Sequence, residues 1–563
     1  VTTDLNKQTI PALLERSFSL YGDLPAIGWA GEPPMTYGEM KQRIEALSGR
    51  LLEHGLAGGQ TVALLGENGP DWVVAYLAVT FVGGVVVPIL PGFPDQDIRH
   101  IIRHSECVAA FVSNRQRPKL DADGLVGLRT IFMLDDLHVE EGQGHAEGLA
   151  EKARRLFGME HDRKGHPRAS DGIRPSPSEE DLAAIIFTSG TTGHSKGVML
   201  THGNIVSDAV GSVARFPIDS SDRFLSILPL SHAYEATGGM LCPLAVGACI
   251  FYMKGLPAPT KLIAAMQAVK PTAVLMVPLI MDAIYRKQVL GTIRARKLGW
   301  LYGARGFRRL LNRLAGRRLI GTLGGDLRFF MLGGASLSED LECFLRDAGI
   351  GYSTGYGMTE ASPIVTINPF DKVRVGSCGK PIPGVEIRIH DADPDTGVGE
   401  ILIRGPNIMN GYYGNEEATS DAFTRDGWLR TGDLGYLDRQ GYLYIKGRSK
   451  NVIVGPSGEN IYPEIVEQEL LKNPYVLQAI VYARDDRLVA RVYLNQDLLD
   501  QEFGSLNLSE SSFRELVVGM LQDIRIDVNR RLPAFSAIQE IAEQPEPFEL
   551  TPTNKVKRYL YTD

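Results

Sequence analysis

Apolar residues in this chain come in strand-sized runs, at 61–65, 84–90, 109–112, 182–187, 273–277 and 327–332, with helix-length segments between them. Runs that are apolar on both faces belong to buried strands. Their alternation with helices predicts α/β layers with largely parallel sheets. Residues 72–90 (WVVAYLAVTFVGGVVVPIL) are uncharged and nearly long enough to span a bilayer. Gly83-Gly84 divides this run into a helix-like half and a β-branched half that reaches Pro88. It therefore reads as a buried helix, a turn and a buried strand. Thr9-Ile10-Pro11 predicts a helix start, with Thr9 as the cap and proline in the first turn.

The pattern then shifts. Residues 139–180 are polar and charged and end in Pro175-Ser176-Pro177-Ser178, which predicts an exposed, partly mobile connector. After Gly376, the alternation of Val385, Ile387 and Ile389, followed by Glu400-Ile401-Leu402-Ile403, predicts short strands in a small β-rich unit. Beyond Gly447-Arg448, a helix opening on Pro463, strands at 478–483 and 488–494 and a long helix at 510–531 predict an α+β unit. The expected fold class is therefore α/β and α+β multidomain. A large N-terminal domain would cover residues 1–447, with its β-rich subdomain at about 376–447, and a small C-terminal domain would cover 448–563.

Composition narrows the function. A length of 563 residues exceeds what one compact core supports. A net charge of −8 argues against a general nucleic-acid binder. The five cysteines (Cys107, Cys242, Cys249, Cys343, Cys378) are scattered without a CxxC pair, as expected of reduced thiols in a cytoplasmic protein. Val1 to Pro11 has no basic segment leading into an apolar one, so no signal peptide is expected there.

The densest chemistry follows the 182–187 run: Thr188-Ser189-Gly190-Thr191-Thr192-Gly193-His194-Ser195-Lys196-Gly197. Glycines permit tight turns whose N–H groups wrap an anion, hydroxyls add donors, and Lys196 adds a positive charge on a flexible stem. Such a loop suits the β- and γ-phosphates of a nucleotide. A Walker A loop is excluded, because that motif needs Ser or Thr after its lysine and Gly197 follows Lys196 here.

With this loop the chain resembles the adenylate-forming superfamily of acyl-CoA synthetases, peptide-synthetase adenylation domains and firefly luciferase. The family's other signatures occur in order: Leu228-Pro229-Leu230-Ser231-His232, Gly333-Gly334-Ala335, Tyr356-Gly357-Met358-Thr359-Glu360, Thr431-Gly432-Asp433, Gly447-Arg448-Ser449-Lys450, Gly458-Glu459-Asn460-Ile461-Tyr462-Pro463, and Lys555. The resemblance implies ATP, Mg²⁺ and coenzyme A as reactants or cofactors. It implies nucleotide contacts from Thr188, Ser189, Gly190, Thr191, Thr192, Gly193, Lys196, Gly334, Ala335, Tyr356, Gly357, Thr359, Asp433 and Arg448. Tyr356 would face adenine, Thr359 would donate to the α-phosphate and Glu360 would hold Mg²⁺. Asp433 would accept the ribose hydroxyls, whereas Arg448 either reinforces that contact or pairs with a surface carboxylate. Lys555 would stabilise charge as a carboxylate attacks the α-phosphorus. Asn554 stands where many relatives have glycine, which keeps Lys557 as an alternative. Lys450 would be the hinge of a mobile C-terminal domain, and the Gly458 loop would serve the thioester step.

The form LPLSHAYE at residues 228–235 resembles that of long-chain acyl-CoA synthetases. His232 either stands by an acyl tunnel or is a satisfied buried histidine. The implied activity converts a medium- or long-chain fatty acid to acyl-AMP and then to acyl-CoA. Alternatives on the same scaffold are an acyl-AMP or acyl-carrier-protein ligase; a nonenzymatic nucleotide sensor would need the phosphate loop but not Lys555. Residues 286–318 carry many Arg and Lys and no Asp or Glu, and Phe307, Leu310, Leu311 and Leu314 recur at helical spacing among Arg308, Arg309 and Arg313. Such a helix either lies on an anionic membrane, which would place the protein at the inner membrane face, or is an ordinary solvated helix.

Overall fold

The computed structural model describes residues 7–120, 125, 127–141, 176–188, 195–255, 259–290, 305–335, 337–455, 459–485, 487–504, 509–551 and 556–562. Most of the expected connector at 139–180 lies outside the described residues.

The apolar runs became strands with little change of bounds: Thr61–Leu65, Val85–Ile89, Ala109–Val112, Leu182–Thr188, Ala273–Met276 and Phe329–Leu332. The 72–90 run folds as the helix Pro70–Phe81 and the strand Val85–Ile89, with Gly83 in the left-handed region at the turn. Every residue of both elements except Asp71 is buried, so its uniform hydrophobicity reflects interior packing. No helix among the described residues is long and apolar enough to cross a membrane. Thr9 caps Ile10–Tyr21 by accepting from the Ala12 N–H at 3.3 Å, as its sequence position predicts.

Two large sheets share one continuous core. A nine-stranded sheet runs parallel through Arg223–Ser226, Ala273–Met276, Phe329–Leu332 and Gly351–Gly357, with antiparallel strands at both edges. An eight-stranded sheet is parallel from Leu182–Thr188 through Val85–Ile89, Thr61–Leu65 and Ala109–Val112, and its outer strands are antiparallel. The β-rich unit is a four-stranded antiparallel sheet of Glu386–His390, Gly399–Arg404, Leu429–Leu437 and Leu443–Arg448. Its inward Ile401, Ile403, Leu429 and Leu443 join the core of the larger sheets.

Beyond residue 451 the chain builds a separate core. Val476–Arg484 and Arg487–Leu494 pair antiparallel, and Glu540–Glu543 adds in parallel. Pro463–Leu471 and Glu510–Asn529 pack on this sheet through Val466, Leu470, Val517, Leu521 and Ile524. Contact with the larger part includes the Arg286 guanidinium, which donates to the Leu471 carbonyl and, at 3.5 Å, to that of Asn473.

Candidate active site

Side chains from the nine-, eight- and four-stranded sheets meet in one place. The hairpin of Leu182–Thr188 and Lys196–Thr201 sets Thr188 opposite Lys196 at the mouth of the glycine-rich loop. Ser189, Gly190, Thr191, Thr192 and Gly193 lie outside the described residues. The Lys196 ammonium stands over the Tyr412 ring, 4.7 Å from its centroid. Tyr412 belongs to the short strand Gly411–Tyr412, which pairs with Lys196–Thr201. Its hydroxyl donates to Glu360 Oε1 at 2.9 Å. Burial, and then the Glu360 charge, push the Tyr412 hydroxyl up, so it remains a neutral donor.

Glu360 lies in the turn Thr359–Ala361, just beyond the strand Gly351–Gly357 of the nine-stranded sheet. That strand can turn only at glycine: a Cβ on Gly357 would stand 1.8 Å from the Pro363 carbonyl oxygen. Just before it, the Tyr356 hydroxyl donates to Asp433 Oδ2 at 2.7 Å. Asp433 comes from the four-stranded sheet, where it pairs in register with Arg448, and the Arg448 Nε lies 3.0 Å from Asp433 Oδ1. Arg448 thus pairs with Asp433, the residue that the sequence reading assigns to the ribose. A carboxylate has about four lone-pair sites, so Asp433 keeps accepting capacity beyond Tyr356 and Arg448.

Glu360 fits a Mg²⁺ ion in the manner the chemistry requires. Mg²⁺ in nucleotide sites is usually held by one or two carboxylates plus substrate phosphates. Among the described residues no group of three or more His, Cys, Asp or Glu could form an all-protein cage. Glu360 would be the protein ligand, steadied by the Tyr412 hydroxyl.

Elsewhere on the nine-stranded sheet, Gly333 follows the strand Phe329–Leu332, and a Cβ there would fall 2.9 Å from the Tyr234 ring. Gly334 has φ +85, and it and Ala335 are exposed at the strand end. His232 is half-buried, and its Nδ1 accepts from the Tyr234 N–H at 3.2 Å. Glu235 next along is fully interior, opens a π-helix and has no charged partner for its carboxyl among the described residues.

Lys450 lies in the turn Ser449–Asn451, between Leu443–Arg448 and the small sheet beyond. Gly458 and Lys555 lie outside the described residues. On either side of Lys555, Leu550 and Val556 form an antiparallel bridge. The ammonium of Lys557, the alternative lysine, lies 3.2 Å from Glu549 Oε2 in an exposed ion pair. Tyr412 was missed by sequence reasoning, because nothing in Asn410-Gly411-Tyr412-Tyr413 signals a partner 52 residues earlier.

Comparison with known proteins identifies the family. A long-chain-fatty-acid–CoA ligase of Mycobacterium bovis is 29% identical, over 94% of this chain and 90% of the relative. A peroxisomal long-chain acyl-CoA synthetase of Arabidopsis thaliana is 30% identical, over 93% of this chain and 79% of the relative. The o-succinylbenzoate CoA synthetase of Bacillus subtilis, solved with its acyl-adenylate intermediate, shares the fold at a TM-score of 0.73. It is 23% identical, and 98% of each chain is covered. Residues 14–413 match the family described as AMP-binding enzyme, and with that match over most of its length the chain belongs to the AMP-binding enzyme family.

Proposed function

We propose that this protein is an AMP-forming acid–CoA ligase that activates medium- or long-chain fatty acids. The observation that carries the reading is the convergence of Lys196–Tyr412–Glu360 with Tyr356–Asp433–Arg448 from three separate sheets. One set offers charge and a metal-binding carboxylate for phosphates, and the other offers a ring and acceptors for a nucleoside. The kinship with ligases named for long-chain fatty acids supports the choice of acid.

In the first half-reaction the acid's carboxylate oxygen attacks the α-phosphorus of ATP. An O–P bond forms, the bond to pyrophosphate breaks, and acyl-AMP results. Mg²⁺, when bound, would neutralise phosphate charge. Thr359 would donate to the α-phosphate, and Asp433 and Arg448 would fix the ribose. Lys196 and the backbone of the glycine-rich loop would hold the leaving pyrophosphate. In the second half-reaction the CoA sulfur attacks the acyl carbon and AMP departs. No protein nucleophile takes part, so the chain's work is positioning and charge stabilisation. The unit from residue 448 onward would turn about Lys450 between the two steps, bringing Lys555 in for the first and the Gly458 loop for the second. Incubating the protein with a panel of acids from acetate to long-chain fatty acids, Mg·ATP and CoA should yield AMP and pyrophosphate. ADP as the main product would overturn the assignment, and AMP release only with a carrier protein would move the acceptor from CoA.

Peripheral attachment to an anionic membrane forms part of the same reading. The helix Arg305–Thr322 turns Phe307, Leu310 and Leu314 outward, each a little over half exposed. Arg309, Arg313, Arg317 and Arg318 are exposed beside them, whereas Asn312 and Leu319 face inward. Arg308 is half-buried and bound to Asp347 at 3.1 Å, so it belongs to the inner side rather than the docking face. An apolar stripe between arginines suits lipid headgroups and acyl tails together. Arg313, Arg317 and Arg318→Gln together should weaken binding to phosphatidylserine vesicles, each arginine near the surface being worth about 1 kcal/mol. Wild-type protein that ignores such vesicles at low salt would remove this element.

A further inference from the structure

The segment that precedes His232 is held by a residue from the other large sheet. After the strand Thr61–Leu65 of the eight-stranded sheet, residues 66–69 turn into the helix Pro70–Phe81. On one side of this turn Glu67 accepts from Ser113 Oγ and Gln116 Nε2, each at 2.7 Å. On the other side Asn68 crosses to the nine-stranded sheet. Its Nδ2 donates to the Leu228 carbonyl at 2.6 Å and to Ser226 Oγ at 3.2 Å, and its Oδ1 accepts from the Leu230 N–H at 2.8 Å. Behind it Gly69 packs so closely that a Cβ would stand 2.6 Å from the Trp29 ring.

The chemistry of this clamp is specific. Leu228-Pro229-Leu230 presents a carbonyl before the proline and an N–H after it, while the proline itself has no N–H. A primary amide offers a donor and an acceptor side by side and satisfies both groups at once. A carboxylate could accept from Leu230 but could not donate to Leu228. The loop so fixed leads within two residues to His232 and within four to Tyr234, whose ring packs against Gly333. The clamp touches none of the Lys196–Tyr412–Glu360 or Tyr356–Asp433–Arg448 contacts.

We propose that Asn68 is a positioning residue for the acid half of the reaction: by clamping the 228–230 backbone it sets where His232 and Tyr234 stand, and so how the carboxylic acid meets the α-phosphate. The inference rests on the acid–CoA ligase reading and extends it to a residue outside every segment assigned to the nucleotide. It separates acid binding from nucleotide binding, which a general structural role would not do.

The test is steady-state AMP formation by Asn68→Ala and Asn68→Asp, varying a long-chain fatty acid and ATP separately, with thermal midpoints measured beside them. Displacing a positioned group by an ångström can cost about 100-fold, so Asn68→Ala should lose roughly 10- to 100-fold in kcat/KM for the acid, chiefly through KM. KM for ATP should stay at the wild-type value. Asn68→Asp is nearly isosteric and retains one of the three hydrogen bonds, so it reports even where the alanine variant folds poorly; it should shift acid KM in the same direction. Unchanged acid KM in Asn68→Asp, or equal losses for acid and ATP, would overturn the proposal. Wild-type protein that forms no AMP from any acid in the panel would instead overturn the ligase reading, and this inference with it.

Discussion

Lys555→Ala is expected to slow acyl-adenylate formation from fatty acid and ATP by about 100- to 1000-fold, the usual cost of removing one preorganised charge-stabilising donor. When preformed acyl-AMP is supplied with CoA, the same variant should stay near the wild-type rate. The contrast follows from the position of this lysine in the chain. The Glu360 and Asp433 groups stand on the larger part of the molecule, whereas Lys555 follows the separate core beyond residue 451. Residues flanking it are anchored within that core. Arg558 pairs with Glu467 on the helix Pro463–Leu471 and donates to the Val481 carbonyl at 3.3 Å, and Glu467 accepts from the Val481 N–H at 2.7 Å. On the proposed mechanism Lys555 would travel with that unit and would reach the α-phosphate only when the unit closes over it. Gly458→Leu should show the opposite pattern, obstructing the thiol while sparing adenylation. Single-turnover rates of the two half-reactions decide the matter. Equal slowing of both by Lys555→Ala, in a folded protein, would undo the two-pose reading. In that event Lys557, whose ammonium pairs with Glu549 at 3.2 Å, would be tested next.

How far such groupings were legible in the sequence depended on whether the signal was local. The strand Thr61–Leu65 and the helix–turn–strand at 70–89 were legible because continuous burial leaves uninterrupted apolar runs bounded by glycine. The motifs around Thr188–Lys196, Tyr356–Glu360, Asp433 and Arg448 stood out because each is contiguous, but Asp433, expected on a turn after Trp428-Leu429-Arg430, lies within the strand Leu429–Leu437 instead. What stayed hidden were the long-range pairs. Asn68 meets Leu228 across 160 residues, and Tyr412 meets Glu360 across 52. Neither residue type nor spacing announces such a partner; the sheet order creates it. The basic helix shows a related limit. Helical spacing placed Arg308 among the outward arginines, but its tie to Asp347, itself buried, turns it to the inner side. Glu235 shows another, since nothing in LPLSHAYE marks it as interior, and the fold buries it.

That burial has a consequence that stability measurements can read. Burial pushes the Glu235 carboxyl up to about 8, opposed only by the Ser226 hydroxyl. In the unfolded chain an ordinary glutamate releases its proton near about 4.3. Between these values the folded state holds a proton that the unfolded state has lost. The free energy of unfolding therefore falls as pH rises through this window. The contribution is complete below the unfolded value and is lost as pH passes the folded one. Each unit is worth about 1.4 kcal/mol, so the accumulated loss by pH 8 is on the order of 4 kcal/mol. Glu235→Gln keeps the shape and the neutral polarity of the protonated acid but does not titrate. Relative to wild type it should be nearly neutral at pH 4.5 and more stable by roughly 3–4 kcal/mol at pH 8. Glu467, in the separate core, is also pushed up, to about 7, but it titrates in both proteins and cancels in the difference. Urea unfolding of both proteins from pH 4.5 to 8.5 measures that difference directly. A stability gap that widens with pH identifies Glu235 as a buried, protonated acid. A gap that stays constant across the range would mean that the carboxyl is already ionised in the folded protein at pH 5, with a partner to hold its charge.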